Sequence, residues 1–160
     1  MNHWLLKSEP STFGIEDLAR RPGKRDGWDG VRNYQARNFL RSMKRGDLAF
    51  FYHSSAKETG VSGIVQIVTE AYPDPTAFDA GGDHYAPKSD PERPVWYMVD
   101  VKLVRKLRRV IPLAELKTRR ELRDMTLLRP GNRLSVMPIE QRHWGVILKL
   151  EADARSRQTS

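Results

Sequence analysis

The sequence of 160 residues contains no cysteine. Disulfide bonds and thiolate metal sites are therefore excluded, which is compatible with a reducing compartment. The four histidines do not compensate, since none of them lies at the H-x-x-x-H spacing of paired zinc ligands. We therefore predict neither a metal site nor a cofactor. The histidines are His3, His53, His84 and His143.

The sequence also lacks a long apolar run, so no membrane-spanning helix is expected. The apolar stretch near the N-terminus, Trp4 to Leu6, is too short for the core of a secretion signal. These two absences predict a cytoplasmic protein that does not enter a membrane, and we expect a monomer. The length suits a single domain, which we place at residues 1–150, followed by a polar tail at residues 151–160.

No pair of carboxylates stands out as an acid and base couple, and no catalytic residue is predicted. The abundant feature is positive charge, because the formal net charge is +8. Such an excess favours an anionic partner, and nucleic acid is the commonest one. Phosphate ligands and acidic proteins remain alternatives on charge alone.

Short strands and short helices follow one another without regular strand–helix alternation. The pattern predicts an α+β domain with a curved, mostly antiparallel sheet flanked by short helices. Gly63 inside a predicted strand indicates a bulge or a close backbone approach. We predict strands at residues 3–8, 48–52, 61–70, 95–107 and 133–137, and helical segments at residues 13–19, 33–44, 113–117, 121–125 and 139–150. Residues 72–94 form a long loop rich in Pro, Asp and Gly, which is typical of a functional or mobile segment.

Residues 28–40 read W-D-G-V-R-N-Y-Q-A-R-N-F-L and carry more amides and arginines than core packing needs. Trp28 beside a turn can supply a stacking face for a planar heterocycle, or it can be a core or lid residue. Asn33 can read a base edge or cap the helix that follows it. Tyr34 lies on the apolar stripe of that helix, so we expect its ring in the core and its hydroxyl near the pocket.

Several motifs together resemble the EVE domain family, which includes the thymocyte nuclear protein group. They are W-L-L-K-S-E-P, W-D-G-V-R-N-Y-Q-A-R-N, G-D-L-A-F-F-Y-H-S, V-S-G-I-V, E-A-Y-P-D and R-L-S-V-M-P-I, in order from Trp4 to about Leu148. The resemblance implies a PUA-like pseudo-barrel related to YTH domains, which hold a methylated adenine in an aromatic cage. It further implies a non-catalytic module that binds nucleic acid and reads a modified base, with modified cytosine in DNA as the favoured ligand.

The predicted base-binding pocket combines this resemblance with the residues at the ends of strands. It consists of Ser8, Trp28, Asn33, Tyr34, His53 and Ser54. Basic residues flank the signature, and we predict phosphate contacts for Arg25, Arg32 and Arg37. Two alternatives stay open: a PUA-like protein that binds RNA by its structure, and an enzyme acting on a nucleotide or modified base with His53 as acid or base.

Overall fold

A computed structural model describes the backbone of residues 1–158 and the side chains of residues 1–153. Within these residues the chain forms seven β-strands, five α-helices and several 3-10 turns. The strands are β1 (His3–Ser8), β2 (Arg25–Trp28), β3 (Leu48–His53), β4 (Gly60–Ile67), β5 (Tyr72–Pro73), β6 (Tyr97–Pro112) and β7 (Val136–Ile139). The α-helices are α1 (Pro10–Phe13), α2 (Ile15–Arg20), α3 (Tyr34–Ser42), α4 (Leu113–Lys117) and α5 (Gln141–Gln158). No described helix has both the length and the apolar character needed to span a membrane.

The strands form one open, mixed sheet in the order β2-β6-β4-β3-β1-β7, with β5 paired to β6. Among the described strands, β1 and β3 pair in parallel and the other pairs are antiparallel. The predicted α+β architecture with a mostly antiparallel sheet is therefore confirmed. The parallel pair matters for the site, because the carboxyl ends of parallel strands meet at the same edge. Ser8 and His53 lie opposite each other there.

Neighbouring residues in the central strands contribute to two different cores, since side chains alternate across a sheet. Leu6 and Phe51 belong to a cluster with Trp28, which we call the cavity side of the sheet. Leu5 and Phe50 belong to a second cluster with helix α5, which we call the α5 side. The sheet is thus covered on both faces, as the continuous apolar runs in β1 and β3 predict.

The hairpin of β3 and β4 is irregular at the glycine singled out in the sequence. The register shifts between Phe51 and Tyr52, and a Cβ at Gly63 would lie only 2.9 Å from the carbonyl oxygen of Arg105. The predicted bulge and close backbone approach are both confirmed.

Two details of the helices differ from the sequence-based expectations. Tyr34 is not a core residue, since 63% of its surface is exposed. Helix α5 continues beyond Leu150 to Gln158, and its residue Glu151 is buried and accepts a hydrogen bond of 3.0 Å from Arg105. The tail boundary at residue 151 stays a prediction, and residues 159 and 160 lie outside the described part of the chain.

Candidate nucleic-acid interface

A cavity of about 540 Å³ lies on the side of the sheet that carries the Trp28 cluster, where strands β1 and β2 end; the name cavity side refers to it. This volume lies within the range of small-molecule pockets in proteins and exceeds the space that a single base needs. Most of the wall comes from the end of β1, from α1 and from the segment that joins β2 to α3. The lining residues are those at positions 7–9, 12, 13, 21, 26–32, 84 and 135.

Trp28 is a core residue and a cavity wall at once. It is 6% exposed, and its ring meets those of Phe51 and Phe13 edge-on at centroid distances of 5.2 and 6.2 Å. The sequence analysis treated core and ligand wall as alternatives, but the last residue of a strand beside a cavity can be both. The packing holds the indole rigidly, so a ligand would meet a preformed surface.

Ser8 lies at the cavity, whereas His53 and Ser54 lie outside its wall. The Ser8 hydroxyl donates to the carbonyl oxygen of Phe13 at 2.6 Å, so its oxygen remains available only as an acceptor. The His53 Nε2 accepts a hydrogen bond of 3.1 Å from the amide of Ile15. Burial lowers the pKa of His53, which favours the neutral ring that this hydrogen bond requires. The backbone amide of Ser54 donates to the carbonyl oxygen of Ser8 at 3.0 Å.

The buried carboxylate of Asp74 fixes the segment after Trp28. It accepts hydrogen bonds from the Gly30 amide at 2.8 Å, from Arg32 at 3.0 Å and from Thr76. Burial alone would raise the pKa of Asp74, but these hydrogen bonds outweigh it and leave the pKa below its ordinary value. Gly30 has a φ of +78°, and a Cβ there would lie 2.7 Å from the His84 ring, so no other residue fits well.

Arg32 joins two segments of the chain through hydrogen bonds. Its five N–H donors all have acceptors within the chain, namely the carbonyl oxygens of Val31 and His84, the carboxylate of Asp74 and the hydroxyl of Thr76. The guanidinium thereby ties the loop of residues 72–94 to the segment that joins β2 to α3. Its predicted contact with phosphate stays a prediction, and it would require one of these bonds to be exchanged.

Two charged side chains of the wall, Asp29 and Lys7, are arranged differently. Among the described residues, no side chain or amide forms a hydrogen bond or ion pair with either of them. The Lys7 ammonium does contact the Tyr52 ring, 5.8 Å from its centroid. Partial burial and the nearby Asp74 carboxylate raise the pKa of Asp29, and burial lowers the pKa of Lys7. Both groups are therefore available to a ligand.

The remaining predicted residues lie on the outer surface beside the cavity. The Asn33 side chain accepts from the amide of Ala36 at 2.9 Å and caps α3, so the capping interpretation is correct. The Tyr34 ring lies 5.0 Å from that of Trp96, and the guanidinium of Arg37 lies 5.2 Å from the Tyr34 ring. Arg25 is half-exposed and forms an ion pair of 3.3 Å with Asp100.

Lys7, Asp29 and His84 are among the wall residues that the predicted site does not include. Lys7 and Asp29 adjoin predicted site residues and were recognisable as neighbours of Ser8 and Trp28. His84 had no such signal, since it comes from the long loop and reaches the cavity only through the Arg32 and Asp74 contacts. In the part of the chain that the structure describes, no three His, Asp or Glu side chains are grouped as ligands for a metal.

Comparison with known families decides the classification. The EVE domain family matches residues 2–150, which is nearly the whole chain. This chain belongs to the EVE domain family. The resemblance inferred from the sequence motifs is therefore confirmed.

The curated relatives of this EVE domain include human thymocyte nuclear protein 1. That protein is 48% identical over 167 residues, which cover 94% of this chain and 74% of the human one. The mouse protein of the same name is 49% identical with the same coverage.

A solved structure shows human THYN1 in complex with DNA containing 5-methylcytosine. It superposes with a TM-score of 0.91 at 48% identity and covers 94% of this EVE domain and 98% of that chain. A protein from Leishmania major superposes with a TM-score of 0.92 at 46% identity and covers 97% of each chain. These likenesses confirm the predicted PUA-like fold.

The cytoplasmic location expected from the sequence is contradicted, because these relatives are named nuclear proteins. The error has a simple cause. A composition without cysteine suits a reducing compartment, and because cytosol and nucleus are both reducing, composition cannot distinguish them.

Proposed function

We propose that this EVE domain binds DNA and holds one modified cytosine in the cavity lined by Trp28. The observation that carries the proposal is the cavity of about 540 Å³ with a rigid indole in its wall. The fold as a whole is similar to that of a protein solved in complex with DNA containing 5-methylcytosine, which supports the choice of ligand. A base inside a duplex cannot reach such a pocket, so the target nucleotide must leave the stack.

Different residues would contact the base and the phosphate backbone of the DNA. Trp28 supplies apolar contact to the base, and the Ser8 oxygen can accept from a donor on its edge. Arg25 and Arg37 lie on the surrounding surface with part of their donors free, where they can neutralise phosphates. Arg32 is itself part of the wall and is held in place by its hydrogen bond to Asp74. The net charge of +8 supplies long-range attraction to the duplex.

The test is a binding titration with matched DNA duplexes that carry cytosine, 5-methylcytosine or 5-hydroxymethylcytosine at one position. Wild type should prefer one modified form, and Trp28→Phe should reduce that preference, because stacking on an aromatic side chain contributes about 1–3 kcal/mol. Trp144→Phe is the matched control, since Trp144 is equally buried on the α5 side. Equal, salt-sensitive binding of wild type to all three duplexes would contradict the proposal.

The same titration with RNA of matched sequence tests the alternative of an RNA binder. The proposal predicts weaker binding to RNA and no preference that depends on the modification. Tighter binding to unmodified RNA than to any of the duplexes would replace DNA by RNA as the ligand.

A further inference from the structure

Asp29 lies in the cavity wall between two residues that are held in place. It follows Trp28, which is packed in the core, and it precedes Gly30, whose amide is held by Asp74 at 2.8 Å. The backbone at position 29 is therefore fixed from both sides. A side chain that starts from a fixed backbone can read a ligand edge with little loss of entropy on binding.

The other aspartates of this region already have partners. Asp26 accepts from Arg21 and from the Gly27 amide, each at 2.7 Å. Asp74 is buried and fully engaged with Gly30, Arg32 and Thr76. Asp29 lines the cavity with an exposed side chain, and among the described residues nothing donates a hydrogen bond to its carboxylate, so its oxygens can accept from a ligand.

An ionised carboxylate only accepts hydrogen bonds, and this restricts which base edge it can meet. Cytosine presents an amino group at C4, whereas thymine presents a carbonyl oxygen there. Since 5-methylcytosine and thymine carry the same methyl group, an apolar wall cannot distinguish the two bases. A carboxylate can distinguish them, because it attracts the amino group of 5-methylcytosine and repels the carbonyl oxygen of thymine.

We propose that the Asp29 carboxylate accepts a hydrogen bond from the C4 amino group of the bound cytosine and thereby excludes thymine. The inference rests on the proposed function, because it assigns the residue that sets base identity in the same cavity. Lys7 also lines the cavity, and its ammonium forms no hydrogen bond or ion pair among the described residues, although it lies 5.8 Å from the centroid of the Tyr52 ring. It could therefore donate to the acceptor atoms of the same edge. Glu9 is the rival acceptor, since it is exposed at the rim of the same cavity.

The experiment measures the affinity of four duplexes that differ only in the target base, which is 5-methylcytosine, cytosine, thymine or uracil. An abasic site opposite the target removes differences in base pairing. The four affinities separate the effect of the C5 methyl group from the effect of the C4 substituent. The proteins are wild type, Asp29→Asn, Glu9→Gln and Glu121→Gln, the last of which removes an exposed negative charge away from the cavity.

We expect wild type to prefer 5-methylcytosine over thymine about tenfold or more, as one good base-edge contact allows. Asp29→Asn should bring this ratio close to one, because an amide can also donate to the thymine carbonyl oxygen. The preference for 5-methylcytosine over cytosine should survive, since it depends on the methyl group. Glu121→Gln should leave both ratios as in wild type.

The inference is overturned if Asp29→Asn keeps the wild-type ratio of 5-methylcytosine to thymine, or if Glu9→Gln loses it instead. Either result would leave the proposed function intact, provided that wild type still prefers modified cytosine. A wild type that binds all four duplexes equally would overturn both proposals, so the two failures are distinguishable.

Discussion

The two sides of the sheet are built from similar parts and differ in what they leave open. Each side has a buried tryptophan, with Trp28 6% and Trp144 7% exposed. On the α5 side, Trp144 stacks on Phe50 at a centroid distance of 3.9 Å and packs against His3. On the cavity side, Trp28 meets its aromatic neighbours edge-on and also lines the cavity. Equal burial therefore does not imply equal function.

The buried carboxylates extend the comparison. Asp74 on the cavity side and Glu151 on the α5 side each pair with an arginine and accept a backbone amide. The Asp74–Arg32 pair is the more enclosed one, with side-chain exposures of 0% and 22% against 7% and 43% for Glu151–Arg105. The cavity side thus fixes its wall more tightly than the α5 side fixes its helix, as a preformed site requires.

The largest expected effect is the loss of either tryptophan. Trp28→Ala and Trp144→Ala should each lower the free energy of unfolding by about 3–5 kcal/mol, because both remove a buried indole. Chemical denaturation followed by circular dichroism measures this. If Trp28→Ala were nearly neutral while Trp144→Ala was severe, Trp28 would belong to the cavity alone and the equivalence of the two cores would fail.

The paired carboxylates should differ in the size of their effects. Asp74→Asn should cost about 2–3 kcal/mol, since Arg32 would keep a charge without its partner in a poorly hydrated position. Glu151→Gln should cost about 1 kcal/mol, because water reaches Arg105. Thermal unfolding of both variants checks the order, and the reverse order would refute the claim that the cavity wall is the more tightly fixed region.

Acid should weaken both pairs. Hydrogen bonds leave the folded-state pKa of Asp74 below its ordinary value of 3.8 and that of Glu151 below 4.5. Their stabilising contributions are therefore complete above those values and are lost as the pH falls through the lower, folded-state pKa. Below pH 4, the difference in unfolding free energy between wild type and Asp74→Asn should shrink. A difference that stays constant down to pH 2 would show that Asp74 does not titrate with folding.

The smallest effects on stability are expected at two surface cations, the partly exposed Arg37 and the exposed Lys149, which should differ only in their effect on binding. Arg37→Gln beside the cavity and Lys149→Gln on α5 should each change stability by less than about 0.5 kcal/mol. If Arg37 contacts a phosphate, its loss should weaken binding to all DNA sequences alike. The slope of the logarithm of the binding constant against the logarithm of the salt concentration should then fall by about one. Lys149→Gln should leave the salt dependence unchanged, and equal slopes for both variants would remove Arg37 from the interface.

The sequence by itself determined the fold class, the family and much of the local structure. Continuous apolar runs predicted β1 and β3, and alternation predicted β4. Asn33 marked the start of α3, and the signature around Trp28 lies at the cavity. Each of these signals depends only on residues that are neighbours in the sequence. The amino-acid composition could not distinguish nucleus from cytosol, because both compartments are reducing and neither favours disulfide bonds.

Only the tertiary structure decided which polar groups remain available. The sequence presents Arg32 and Arg37 as equivalent basic residues, and Asp29 and Asp74 as equivalent carboxylates. In the fold, Asp74 and Arg32 use their hydrogen-bonding groups on each other and on the loop that brings His84 to the cavity. Asp29, by contrast, forms no hydrogen bond or ion pair within the described residues. A hydrogen bond depends on distances of about 3 Å between residues far apart in the chain, and no local pattern encodes them.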